Sequence, residues 1–347
     1  MHSRRGRPSF ILLTMNNAPI AILGAGNMAS ALALNLARHK CPIRLYCIEE
    51  DVEEDLRKNR CNTKYLDGHR FPKHVTATAD IAKVLEGAED VFVAVPSFAV
   101  AEVMEKAAPF LHRRIKSIAS ITKGLDEKTL KPLVMSEANV LPAHLRKLVC
   151  TLGGPAIAKE MAKGSPTGFI IAGRDKKVLQ RVKKLLETET VKCATSLDLI
   201  GVGLASALKN PYAIALGLCD GLEYPTNAKA MMLAIAVEEL EHVIMTAGGH
   251  IDTATGLAGL GDLIVTGMSP HGRNRTYGER LVGAKSKVPS DLGLGTVEGV
   301  AATGLAVKLA RRLKIKTPLL DTIDRCLRSK HHFEQPFVHY LKHLQLP

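Results

Sequence analysis

Residues 19–39 read PIAILGAGNMASALALNLARH, and this stretch decides the fold. Its first residues form an apolar run, the pattern of a strand buried on both faces. Residues 27–39 then carry Met, Ala and Leu at helical spacing. The link between them, Gly24-Ala-Gly26-Asn-Met-Ala29, fits G-x-G-x-x-G/A, and its place between strand and helix is that of a dinucleotide-binding turn. Gly24 permits the tight turn, and Gly26 lets the backbone approach a pyrophosphate. Ala29 lets helix and strand pack closely, and the helix N-terminus offers free N–H groups to phosphate.

Working outward, a second strand is expected over 42–48, followed at once by Glu49, 20 residues after Ala29. An acid there accepts hydrogen bonds from a ribose 2′-hydroxyl and repels a 2′-phosphate, which favours NAD over NADP. The further carboxylates Glu50, Asp51, Glu53, Glu54 and Asp55 suit the first turn of a solvated helix as well. Apolar runs at 74–80, 90–96, 116–125, 147–154, 167–173 and 189–195 continue the series, with a charged helix over 175–187. Such alternation predicts an α/β doubly wound, mostly parallel sheet. Beyond Leu197 the strands stop, and helices are expected over 205–217, 227–247, 296–313, 318–328 and 333–344. The chain thus divides into a disordered leader (1–17), a dinucleotide-binding Rossmann-like domain (18–198) and an all-α C-terminal substrate domain (199–347). The Gly-, Ser- and Lys-rich stretch 282–295 reads as a mobile surface loop.

The 347 residues suffice for two domains, and 46% hydrophobic content gives each a core. Trp is absent and aromatics make up 4%, too few for stacking platforms on single-stranded nucleic acid. The net charge of +13 is spread along the chain, as a solvated basic surface or as an attraction for anionic ligands. Seven cysteines at irregular spacing, without C-x-x-C, indicate reduced thiols in a cytoplasm, with no disulfide framework and no metal site. The leader's apolar run 10–13 is too short for a signal core or a membrane span.

Polar residues interrupt apolar text at five further places: 121–125, 153–160, 207–210, 259–266 and 272–275. Lys123 falls at the C-terminal end of a strand, where open α/β sheets bind ligands. Lys209 lies on an apolar helix, which lowers an amine's pKa and suits it to proton transfer, although a lysine at a helix edge also snorkels. Asp262 reads as its counter-charge or as a helix cap. Arg273 with Asn274 suits phosphate binding or a basic surface turn.

Taken in order, the segments GAGNMA, NTKYLDG, VPS, TKGL, GGPAIAKEMAKGSPT, ALKN, DGL, NAKA, GLAGLGDL, GRNR and TVEGV, spanning about 19–303, resemble the NAD-dependent glycerol-3-phosphate dehydrogenase family. The resemblance implies reversible hydride transfer between NAD(P)H and dihydroxyacetone phosphate, with Lys209 as general acid and base. It implies that Lys123 contacts substrate and cofactor, that Asp262 and Thr266 orient Lys209 and the substrate, and that Asn210, Gly154 and Ala156 line the substrate pocket. Arg273 and Asn274 would hold the phosphate. Gly24, Gly26, Asn27, Met28, Ala29, Glu49, Pro96, Ala158, Arg273 and Glu298, with Lys123, would contact the cofactor. A cytoplasmic homodimer without membrane span is expected. Tyr46, Gly203, Pro225 and the MMLAIAVEEL run after NAKA depart from the family pattern. Two other readings are a related reductase of 2-oxo or 3-oxo acids and a cofactor-binding sensor without turnover.

Overall fold

The computed structural model describes residues 17–345. The expected leader lies almost wholly outside them.

Eight strands, β1 (Ile20–Leu23), β2 (Ile43–Tyr46), β3 (Val75–Thr78), β4 (Asp90–Val93), β5 (Ser117–Ser120), β6 (Val149–Gly153), β7 (Thr167–Gly173) and β8 (Val191–Ser196), form one sheet in the order β3-β2-β1-β4-β5-β6-β7-β8. Between them run helices α1 (Asn27–Leu36), α2 (Glu50–Lys58), α3 (Thr63–Leu66), α4 (Ile81–Leu85), α5 (Val100–Ala107), α6 (Leu133–Val140), α7 (Ala143–Arg146), α8 (Ala158–Ala162) and α9 (Lys176–Leu186). β1 and β4 are neighbours although β2 and β3 intervene in sequence, so the strand order reverses there. A cleft opens above the strand ends at such a point. Every pairing is parallel except that of β6 with β7. That antiparallel step escapes sequence reading, because a strand buried on both faces shows the same apolar text in either direction.

The second half is helical: α10 (Leu199–Gly221), α11 (Thr226–Thr246), α12 (Asp252–Thr255), α13 (Asp262–Met268), α14 (Arg273–Leu281), α15 (Glu298–Leu313), α16 (Pro318–Arg328) and α17 (Gln335–Lys342). α10 starts six residues before the expected 205, since Asp198 accepts a hydrogen bond from the Gly201 N–H and caps it. It is long and apolar enough to cross a membrane, yet its most apolar stretch is 94% buried among the other elements, as befits a core helix. The segment from Arg273, readable as a surface turn, is the helix α14 packed on α10. The 282–295 stretch is pinned, contrary to the mobile loop expected. Tyr277 donates to the Lys287 carbonyl at 2.7 Å, Lys287 Nζ donates to the carbonyls of Leu327 and Ser329, and Arg280 donates to that of Leu292.

Candidate active site

The turn after β1 has the geometry its glycines allow. Gly24 has φ of 122°, and a Cβ there would stand 2.6 Å from the Ala94 carbonyl oxygen. An added Cβ on Gly26 would meet nothing within 4 Å, so open space lies over the turn. α1 begins without a side-chain cap and without an acid in its first turn, which leaves N–H groups of Asn27, Met28 and Ala29 for an anion. Ala29 is fully buried against the sheet, while Asn27 is exposed and Met28 half-buried. These features fit the diphosphate of a dinucleotide. Asn62 braces the turn from behind by donating to the Ala25 carbonyl and the Ser30 hydroxyl, both at 2.8 Å. The NTKYLDG segment had no assigned role in the sequence reading, and buried Asn62 supplies one.

Glu49 stands at the end of the second strand segment as expected, but its carboxylate is engaged. The Tyr65 hydroxyl donates to it at 2.7 Å and Lys64 Nζ lies 2.8 Å away. Lys64 also reaches Asp51 at 3.0 Å. Pro96 is exposed just past β4, where Thr122 donates to the Val95 carbonyl and ties the β4 and β5 loops together.

The charged centre combines three segments far apart in sequence. Lys123, three residues beyond β5, sits 2.5 Å from Asp262 Oδ2. Lys209 of α10 donates to Asp262 Oδ1 and, at 2.6 Å, to the Thr266 hydroxyl. Asp262 and Thr266 are one turn apart on α13, so both face α10. Asp262 therefore serves as a counter-charge to both lysines. Burial drives the Lys209 amine well below its ordinary value; Asp262 opposes this and Lys123 reinforces it. Burial also opposes ionisation of Asp262, but the two ammonium groups outweigh it and hold the carboxyl below its usual range. One carboxylate shared by two amines leaves one proton held weakly, and the deeper lysine, Lys209, is the one to give it up.

A cavity of about 110 Å³ opens onto Lys209, Asp262, Thr266 and Ala156, with Ser269, His271 and Gly272 on its far side. The sequence reading missed Ser269 and His271; their only signal was polarity between two motifs. Gly154 follows β6 directly, two residues before Ala156 of this wall, and Ala158 opens α8, which packs on α1 beside the glycine turn.

Arg273, Asn274, Asn210 and Glu298 do not line that cavity. They gather at the start of α15. Asn274 donates to Asn210 Oδ1 at 2.9 Å and accepts from the Gly299 N–H at 2.9 Å. Arg273 donates to the Thr296 carbonyl at 3.0 Å, and Glu298 is the half-buried first residue of α15. The Asn274 amide oxygen satisfies an orphan helix donor, and one of its amide N–H groups is left for a ligand.

Comparisons with known proteins identify the family and the fold. Family models described as NAD-dependent glycerol-3-phosphate dehydrogenase N-terminus and C-terminus match residues 19–179 and 198–337. A protein of Anaeromyxobacter dehalogenans named glycerol-3-phosphate dehydrogenase (NAD(P)+) is 36% identical over 307 residues, covering 88% of this chain and 92% of the relative. A protein of the same name from Coxiella burnetii is 34% identical over 314 residues, covering 90% and 92%. The crystal structure of glycerol-3-phosphate dehydrogenase from Coxiella burnetii matches with a TM-score of 0.86 at 32% identity, over 94% of this chain and 99% of that one. A ketopantoate reductase from Ralstonia eutropha matches at 0.60 and 18% identity, over 89% and 97%, a likeness of fold alone.

Proposed function

Because the chain belongs to the NAD-dependent glycerol-3-phosphate dehydrogenase family, we propose that it reversibly reduces dihydroxyacetone phosphate to sn-glycerol 3-phosphate. One observation carries the reading: the buried amine of Lys209, bonded to Asp262 and Thr266, opens onto a cavity at the sheet's ligand-binding edge. NAD(H), bound over the Gly24–Ala29 turn, supplies or accepts the hydride. Lys209 donates its proton to the ketone oxygen as negative charge develops there, and the amine takes it back in the reverse direction. Asp262 holds that amine in place, and Lys123 adds a second positive charge beside the reacting oxygen. Thr266 and Asn210 orient the substrate, Gly154 and Ala156 bound it, and Arg273 with the remaining Asn274 N–H receives its phosphate. Gly24, Gly26, Asn27, Met28, Ala29, Pro96, Ala158 and Glu298 hold the cofactor. Glu49 supports NAD, whereas Lys64 beside it offers a cation to a 2′-phosphate and supports a secondary use of NADP. The boundary between the two functional halves is placed at 198/199. The seven unpaired cysteines support a reducing cytoplasm. Apolar side chains exposed on consecutive segments of the helical half, Met245, Ile251, Leu257, Ile264 and Met268, support a homodimer.

The test is oxidation of NADH and NADPH with dihydroxyacetone phosphate, set against pyruvate and ketopantoate. Lys209→Met is expected to lose at least about 10³-fold in kcat while NADH affinity stays unchanged. Turnover surviving that substitution removes Lys209 from the chemistry. Preference for pyruvate or ketopantoate overturns the substrate.

A further inference from the structure

A second cavity, of about 170 Å³, opens between α6, the start of β6 and the first residue of α10. Lys131, Arg146 and Arg174 line it together with Ser136, Asn139 and Leu199, and no carboxylate does. Among the described residues, Arg146 gives its N–H groups to the carbonyls of Leu141 and Asn139, and neither Lys131 nor Arg174 joins an acid. Of the acids near in sequence, Asp175 accepts from the Lys177 and Val178 N–H groups, and Glu127 does not line the cavity. Asp126 accepts from the N–H groups of Lys128 and Thr129 and from the Ser136 hydroxyl. Glu137 is buried, accepts from Ser120 and does not line the cavity.

Three exposed cations around one concavity, with no acid among the lining residues, repel one another. An anion relieves that repulsion. The Arg174 guanidinium fork, the remaining N–H groups of Arg146, the Lys131 ammonium and the Asn139 amide match the several acceptor oxygens of a phosphate better than the two of a carboxylate. The volume equals roughly five or six waters, small beside the ~300 Å³ of a typical organic-ligand site. Leu199 adds an apolar wall for a short carbon stem. We propose that this cavity binds a small phosphate monoester and is a second anion site, separate from the substrate pocket.

The separation follows from the strands. Val149, the first residue of β6, lines this cavity, whereas Gly153 at the other end adjoins the catalytic wall, four steps along the strand or roughly 13 Å away. α10 runs alongside β6 from Leu199 at the cavity to Ser206 over Gly153, and Lys209 follows one turn later. Gly203, one of the departures from the family pattern, matters here: a Cβ on it would stand 2.5 Å from the Pro132 Cβ. The helix carrying Lys209 therefore rests directly on the loop that carries Lys131, the same loop that leaves Lys123 a few residues earlier. Occupancy of the cavity bears on both segments that deliver the lysines.

The test is calorimetric titration with inorganic phosphate and ethyl phosphate in an Arg273→Ala background, which weakens the substrate-phosphate site. One anion site is expected to remain, tighter for ethyl phosphate. Lys131→Ala with Arg174→Ala is expected to weaken it at least about tenfold. The exposed control pair Lys308→Ala and Arg311→Ala is expected to change it by less than about twofold. These are surface substitutions, and circular dichroism with thermal melting checks that the fold persists. Absence of binding in the Arg273→Ala protein overturns the proposal. So does binding unaffected by Lys131→Ala/Arg174→Ala, or weakened equally by the control pair, which marks general attraction to a basic surface.

Discussion

At Lys209 the burial of one amine sets the direction of a pH profile. Its pKa is lowered, so the protonated form needed to reduce the ketone is lost on raising pH at a lower value than for an exposed lysine. Reduction is expected to decline with rising pH while oxidation of sn-glycerol 3-phosphate increases, and kcat profiles in the two directions check this as mirror images. Asp262→Asn leaves the two ammonium groups unshielded, so the decline moves to still lower pH and kcat drops by about 10²-fold or more. Profiles unchanged by that substitution disconnect Asp262 from the proton. Glu137 offers a separate measurement. Burial pushes its carboxyl up to about 7 from 4.5, and its Oε2 has no partner among the described residues. The folded protein holds this proton longer than the unfolded chain does. Stability therefore falls as pH rises from about 4.5 towards 7, by up to about 3 kcal/mol, and levels off above. Glu137→Gln is expected to raise Tm at pH 8 and to leave it nearly unchanged at pH 4.5. Residue roles were unevenly legible. Lys209 and Asp262 stood out as charges within apolar text, whereas Asn274 gave no sign that the start of α15 would claim its amide oxygen, a demand set by tertiary packing.

Among the elements, α10 is the shared support of the helical half. Glu239 of α11 accepts from Tyr212 of α10 at 3.0 Å and from the Leu319 and Leu320 N–H groups at 2.6 and 3.1 Å. One buried carboxylate thus joins three helices and satisfies the orphan donors of α16. Glu239→Ala strands those donors and the Tyr212 hydroxyl, and is expected to cost about 3 kcal/mol, read from urea unfolding with a lowered midpoint. A change below about 0.5 kcal/mol contradicts the staple. In the sheet, Arg181 of α9 grips buried Asp90 through Nε and Nη2 at 2.6 and 2.7 Å, and Arg181→Leu is expected to cost a similar amount. Strand and helix periodicity made most elements readable. The start of α10 was not, because Gly201 and Gly203 look like helix breakers in text, and their reason is spatial: Gly203 lies against Pro132, while the Asp198 carboxylate crowds Gly201. The loop after α14 looked mobile from composition, since backbone carbonyls that hold Lys287 have no sequence signature.

Across the whole molecule, a charge of +13 surrounds a pocket that takes a dianion. Raising salt from about 20 to 200 mM is expected to lower kcat/KM for dihydroxyacetone phosphate several-fold while kcat changes little. Salt-insensitive kcat/KM assigns the charge to solvation alone. The two-part architecture was open to sequence reading because strand text and helix text occupy successive stretches of the chain. The reversal of β7 was not, for partner direction is decided by neighbours and not by composition. The burial of α10 has a consequence for biosynthesis. Of the elements packed on this helix, α11, α13, α14 and α15 all follow it along the chain. A ribosome therefore releases 23 greasy residues before most of their cover has been translated. A nascent chain stalled or cut before Thr226 would present that helix to chaperones, aggregates or a bilayer, which makes completion of the helices that follow a condition for safe maturation.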